Sequence, residues 1–186
     1  MSYSARNGVK TYYEVSGDGY PLVLVHANPF DRRLWMYQVA HFSTFLEVIN
    51  IDLRGYGYSD EPAKSTIQHL TSLVSKEFPQ TKLGKYLLSF HTEMDSRLHA
   101  PAIAEIFRAL QNRDFTARLP ELKMPVLVVN GEFDNALTRS REMTKKISDA
   151  EHHTIPGTRH ACCLEDPVMF DEIVLSFLKK RGFLGA

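Results

Sequence analysis

Apolar residues along the first fifty positions follow strand rather than helix spacing. Tyr3 to Arg6 and Val9 to Val15 are rich in β-formers, and Asn7-Gly8 between them is the pair that best accepts the positive φ angles of a tight hairpin. After the Gly17-Asp18-Gly19 turn, Leu22 to Val25 and Val48 to Ile51 are short continuous apolar runs, the pattern of buried parallel strands. Leu34, Tyr37, Gln38 and the stretch Val39 to Phe42 supply a short helix between them, so a right-handed strand-helix-strand crossover is expected.

From Thr66 to Leu119 the period becomes helical. Ile67, Leu70, Leu73 and Val74 form one stripe, Leu83, Tyr86, Leu87 and Phe90 a second, and Ile103, Ile106, Phe107 and Leu110 a third that opens at Pro101. Most of these side chains are needed to pack the helices, although they could also line an apolar pocket. Val126 to Asn130 restores the parallel-strand signature, Met143 to Ile147 falls in a helix, and His153 to Ile155 suits a last short strand. Asp166-Pro167 then caps a final helix with Phe170, Ile173, Val174, Phe177 and Leu178 inward and Gly182 as its stop. The expected organisation is one α/β domain over residues 1–186: an N-terminal sheet half (1–63), a helical cap-like segment (64–119) and a C-terminal sheet half (120–186).

Composition narrows the function classes. A chain of 186 residues with 44% hydrophobic content can bury one substantial core. Its 22 basic and 22 acidic residues cancel, which argues against nucleic acid, anionic membrane or highly charged substrates and favours a small neutral ligand. The two cysteines, Cys162 and Cys163, are adjacent, so they offer neither a disulfide framework nor zinc-site spacing and suggest a reducing compartment. Met1 to Lys10 lacks the apolar stretch of a signal peptide, and the expectation is a cytoplasmic protein with no membrane partner.

Four segments carry candidate chemistry. Leu22 to Val25 runs into His26-Ala27-Asn28-Pro29, where a small residue at the strand end lets the following amide point at a developing oxyanion. The loop from Asp52 to Pro62, DLRGYGYSDEP, again follows a strand, at the sheet edge where open α/β folds place ligands. Pro125 to Asp134 is a strand followed by a G-x-x-D turn. Ile155 to Pro167 holds His160 after a flexible glycine-containing loop. His152 and His153 lack such a setting and read as strand-edge polar residues.

Together these segments resemble the α/β-hydrolase superfamily, particularly its epoxide hydrolase, haloalkane dehalogenase and esterase or lactonase branches. The resemblance runs from about Tyr12 to Leu178 and implies an α/β-hydrolase fold: a mostly parallel central sheet with an N-terminal hairpin, helices on both faces and a small helical cap. It maps the triad's acid onto Asp134 and its general base onto His160, with the Asn28 amide, His26 and Trp35 at the oxyanion and substrate side. No metal or cofactor is implied. The family then continues from the DLRGYGxSD loop through a helix to a strand ending in G-x-S-x-G or an aspartate equivalent, and none of that is present. Against a usual length of about 250 residues for such a domain, about 70 or 80 are missing. No serine has glycines two residues before and after it: Ser59 follows Gly57 but precedes Asp60-Glu61. Cys162 and Cys163 lie too close to His160 along the chain to substitute and read as small hydrophobes.

Two readings stay open. One is a hydrolase acting on small, mostly neutral esters, lactones or epoxides. The other is a non-catalytic product of the same family, a shortened isoform or fragment that binds a ligand or partner. If the gap is real, the strands at Leu22 to Val25 and Val126 to Val129 should become neighbours in one sheet, and Asp134 and His160 should stay within hydrogen-bonding reach.

Overall fold

A computed structural model describes residues 2–6, 9–27, 30–53, 55–59, 74–86 and 114–184. These fall into two compact units, one of residues up to 59 together with 81–86, the other of 74–80 and 114–184.

The first unit is built on a four-stranded sheet in the order β1-β2-β4-β3, with β1 Ser2–Arg6, β2 Val9–Ser16, β3 Tyr20–Val25 and β4 Leu46–Ile51. β1 and β2 are antiparallel with Arg6 opposite Val9, the register of a hairpin with a two-residue connection. The connecting Asn7-Gly8 lies outside the described residues. β2 pairs antiparallel with β4, and β4 pairs parallel with β3, Leu22 opposite Val48. A 3₁₀ turn at Arg32–Trp35 leads into helix α1, Met36–Phe42, so the strand-helix-strand crossover is formed. Asp31 opens that turn by accepting the Arg33 amide at 2.8 Å. Leu34, Gln38 and Phe42 face inward at helical spacing, toward Leu46 and Val48.

β3 departs from its apolar sequence. It stands at the end of the sheet order, and Val23 and Val25 are 52% and 48% exposed, whereas a fully buried central strand was expected. Only Leu24 of this strand is buried.

In the second unit β5, Val126–Gly131, and β6, Ala150–Ile155, form a two-stranded parallel sheet with Val128 opposite His152. Helix α2, Leu137–Thr144, makes the crossover. It starts earlier than the apolar positions indicate and stops before Ile147, which is buried in the following turn. β6 is also longer than His153 to Ile155. Its polar first half is stabilised at the edge, where Glu151 accepts from Lys180 at 2.8 Å and from Arg181 at 3.0 Å. Helix α3, Cys162–Glu165, and helix α4, Pro167–Lys180, close the unit, and Asp166 caps α4 by accepting the Met169 amide at 3.0 Å.

β3 and β5 belong to separate sheets, so the expected direct pairing of Leu22 to Val25 with Val126 to Val129 is not made. The two parallel ladders, β3–β4 and β5–β6, each join strands linked by a short crossover, while β1–β2 and β2–β4 are antiparallel. Most of the cap-like segment, with the stripes at Ile67 to Leu73, Leu87 to Phe90 and Ile103 to Leu110, lies outside the described residues. Its described parts are a 3₁₀ turn at Phe78–Gln80, helical residues 82–86 and a 3₁₀ helix at Thr116–Glu121.

Candidate active site

In the first unit, His26 leaves the end of β3 and is buried at 3% exposure. Its Nε2 accepts the Leu53 amide at 2.9 Å, which requires Nδ1 to carry the proton, and Nδ1 lies 3.2 Å from the Ala27 carbonyl. Burial holds the imidazole below its ordinary pKa, against the opposing pull of the Ala27 carbonyl and of the Asp52 and Asp31 charges. His26 therefore ties two strand ends together through backbone contacts. Asn28 lies outside the described residues. Trp35 closes the 3₁₀ turn and is partly exposed.

The DLRGYGYSD loop is organised around Asp52. One carboxylate oxygen accepts the Arg32 amide at 2.9 Å, and the other accepts Arg32 Nη1 and the Tyr58 amide, each at 2.9 Å. Arg32 also pairs with Glu14 at 3.0 Å and lies over the rings of Tyr12 and Tyr58, 4.7 and 4.9 Å from their centroids. Gly57 has φ +53°, and a Cβ there would collide with the Asp52 carboxylate. The Ser59 hydroxyl accepts the Tyr12 amide at 2.6 Å and donates to the Asp52 carbonyl at 2.7 Å. It is a buried structural bridge, with its proton committed to a carbonyl.

The second unit brings Asp134 and His160 together. Asp134 sits in the turn after β5, where its amide donates to the Gly131 carbonyl at 3.2 Å and its Oδ1 accepts the Ala136 amide at 2.8 Å. Asn130 Nδ2 donates to Oδ2 at 2.7 Å. His160 Nδ1 lies 3.2 Å from both carboxylate oxygens, the reach expected. Burial tends to raise the Asp134 pKa, but the Ala136 amide, the Asn130 amide and His160 outweigh it and hold the carboxyl below its usual range. Asp134 is thus ionised at neutral pH and buried, while the His160 side chain is 46% exposed.

Several contacts fix the two loops. The Glu132 amide donates to the Ile155 carbonyl at 3.0 Å, and the Phe133 amide to that of Thr158 at 2.9 Å. The Gly157 amide donates to Glu132 Oε2 at 2.9 Å. Glu165 accepts the Arg159 amide at 2.8 Å and the Ser75 amide at 2.8 Å, so the residue before His160 is anchored to α3. A Cβ on Gly131 would strike the backbone of Thr158 and Arg159, so the approach of the histidine loop to the end of β5 depends on glycine there.

Cys162 and Cys163 are buried on α3, and burial pushes the Cys162 thiol up to about 12 and Cys163 further still. Both remain protonated at neutral pH, the form that is neither nucleophile nor metal ligand. No cluster of metal-ligating side chains occurs among the described residues. From sequence His152 reads as a strand-edge polar residue, but its Nε2 lies 3.1 Å from Asn130 Oδ1. The parallel register that brings β5 and β6 together sets this contact, and linear spacing does not signal it.

No protein-family model matches the chain. Among characterised proteins it is similar to Protein ABHD14A of Danio rerio, 24% identical over 181 residues, covering 86% of this chain and 64% of the relative. Epoxide hydrolase 4 of Mus musculus is 35% identical over 71 residues, covering 37% of this chain and 20% of that protein. The chain therefore spans less than two thirds of either. A thermophilic esterase from Thermogutta terrifontis superposes with a TM-score of 0.79 at 18% identity, the match covering 96% of each chain. Joined to the strand-turn motifs, these likenesses identify the chain as having the α/β-hydrolase fold and as a relative of that superfamily.

Proposed function

We propose that the chain carries the acid and base of an α/β-hydrolase site, Asp134 as orienter and His160 as general base, without the nucleophile they serve. The observation that supports this reading is the placement of His160 Nδ1 3.2 Å from both oxygens of a buried, ionised Asp134. A donor bond from Nδ1 leaves Nε2 as the acceptor on an exposed ring, the tautomer that removes a proton from a hydroxyl or water. The superfamily resemblance further assigns the Asn28 amide as an oxyanion donor and Trp35 to the substrate side, and His26 is the buried pin at the end of β3. Complete relatives of this kind would hydrolyse small, mostly neutral esters, lactones or epoxides, with no cofactor.

A non-catalytic, ligand- or partner-binding role is favoured for the chain as it stands. The Ser59 hydroxyl is held by Tyr12 and Asp52, and both cysteines are buried thiols. None of these three residues supplies an attacking atom, and no G-x-S-x-G motif occurs in the sequence. Histidine and acid then have only water to activate. Rates on activated esters, lactones and epoxides should be slight, within the residual of about 10³ to 10⁴ over water that a site retains after losing a triad member. Purified chain assayed beside His160→Ala and Asp134→Ala tests this. Robust turnover that disappears in His160→Ala would overturn the non-catalytic role and require a nucleophile elsewhere in the chain.

A further inference from the structure

We propose that Asn130 and His152 are positioning residues that hold the Asp134 carboxylate in the orientation His160 needs, through a chain of directed hydrogen bonds across the β5/β6 sheet. The proposal rests on the reading of Asp134 and His160 as an acid-base pair. It begins with Asn130 at the end of β5, buried at 6% exposure. Its Nδ2 donates to Asp134 Oδ2 at 2.7 Å, and its Oδ1 faces His152 Nε2 at 3.1 Å. An ionised carboxylate has only lone pairs to offer, so the Asn130 amide must present its NH₂ to Asp134 and its oxygen to His152. That oxygen in turn requires a proton on His152 Nε2. The direction of every bond is therefore set by the charge on Asp134. In return, the amide cannot flip without placing its oxygen against the carboxylate and its NH₂ against an N–H.

The same carboxylate accepts from His160 Nδ1 and from the Ala136 amide. Asn130 thus restrains Oδ2 and Ala136 restrains Oδ1, and His160 Nδ1 lies 3.2 Å from each. The two histidines should have opposite tautomers, Nδ1–H at His160 and Nε2–H at His152. Arg141 from α2 and His153 from β6 lie near His152, and Glu142 and Lys145 line the same cleft beside α2. None of them supplies the acceptor that Asn130 supplies.

Ring-nitrogen NMR of the ¹⁵N-histidine-labelled full chain at mildly alkaline pH reads both tautomers directly. His152 should show a pyrrole-like Nε2, and His160 a pyrrole-like Nδ1. In Asn130→Leu, His152 should relax to the mixture of an imidazole in water, and the Nε2–H fraction of His160 should rise severalfold. His152→Phe, which frees the amide to turn, should move His160 the same way to a smaller extent, and it decides the matter if Asn130→Leu fails to fold. An Nδ1–H tautomer at His152 in the wild type, or an unchanged His160 in folded Asn130→Leu, would overturn the proposal. Asp134→Asn separates the two readings. If His160 is not Nδ1–H, or is insensitive to Asp134→Asn, the acid-base pair itself fails. If His160 responds to Asp134→Asn but His152 and Asn130 do not behave as stated, only the positioning role fails.

Discussion

A methyl group at position 57 would land on the Asp52 carboxylate, and that carboxylate has no freedom to step aside. It is buried and already accepts the Arg32 amide, the Arg32 guanidinium and the Tyr58 amide. Gly57 also holds a left-handed φ of +53°. Gly57→Ala therefore combines backbone strain with a forced shift of a charged hydrogen-bond centre. A loss of about 1 to 3 kcal/mol is expected, beyond the usual left-handed penalty for an alanine. Chemical denaturation should show a lower midpoint with an unchanged slope, since the compactness of neither end state is altered. A midpoint equal to that of the wild type would mean that the loop yields without cost. These contacts show which part of the DLRGYGYSD motif is local: Gly57 answers to its own backbone and the neighbouring carboxylate, whereas Asp52 and Ser59 are held by Arg32 and Tyr12 from elsewhere in the chain.

Among the elements, the final helix follows its sequence signals most closely. Asp166 accepts the Met169 amide, Pro167 occupies the first turn, and the helix ends at Lys180 just before Gly182. Removing the cap in Asp166→Ala should cost about 1 kcal/mol and leave the far end of α4 unaffected. Amide exchange along α4 is the direct measurement, with faster exchange confined to its first turn. The helix interior is less transparent: Phe177 is buried as expected, but Asp171 is buried too, and an apolar periodicity has no means of marking an inward carboxylate. β6 illustrates the same limit, because its Glu151 and His152 look like solvent positions until Lys180, Arg181 and Asn130 meet them from other elements. β3 fails in the opposite direction. Its apolar run suits a central strand, yet burial depends on neighbours, and among the described residues its ladder partner is β4. Asp134 and His160 were identifiable from short motifs since each sits within a few residues of a strand end. The Asn130–His152 contact was not, because only the parallel register creates it.

For the whole molecule, the consequence open to a single measurement is the pH dependence of stability, because each compact unit contains a histidine that folding keeps from protonating. His26 in the first unit and His152 in the second have pKa values below the ordinary one, in both cases with burial as the largest cause. An unfolded chain, whose histidines titrate near 6.5, binds more protons than the folded one as pH falls through that value. Stability is therefore lost from just above pH 6.5 downward, until the folded-state pKa values are passed. A second decline begins lower, where Asp134 and Glu14 have depressed pKa values: their contribution is present above the unfolded carboxylate range and lost as pH falls through the folded values. Denaturant unfolding at pH about 7.5 and about 5 should show the first decline before the carboxylates contribute to it. For His26 the mechanism is direct, because a proton on Nε2 removes the acceptor that the Leu53 amide needs and leaves two N–H groups facing each other. His26→Gln retains one acceptor and one donor without a titrating group, so it should flatten that decline while changing stability at pH about 7.5 by about 1 to 2 kcal/mol. If the variant keeps the full wild-type slope between those two pH values, His26 is not the group that titrates, and the acid sensitivity of the first unit must arise elsewhere.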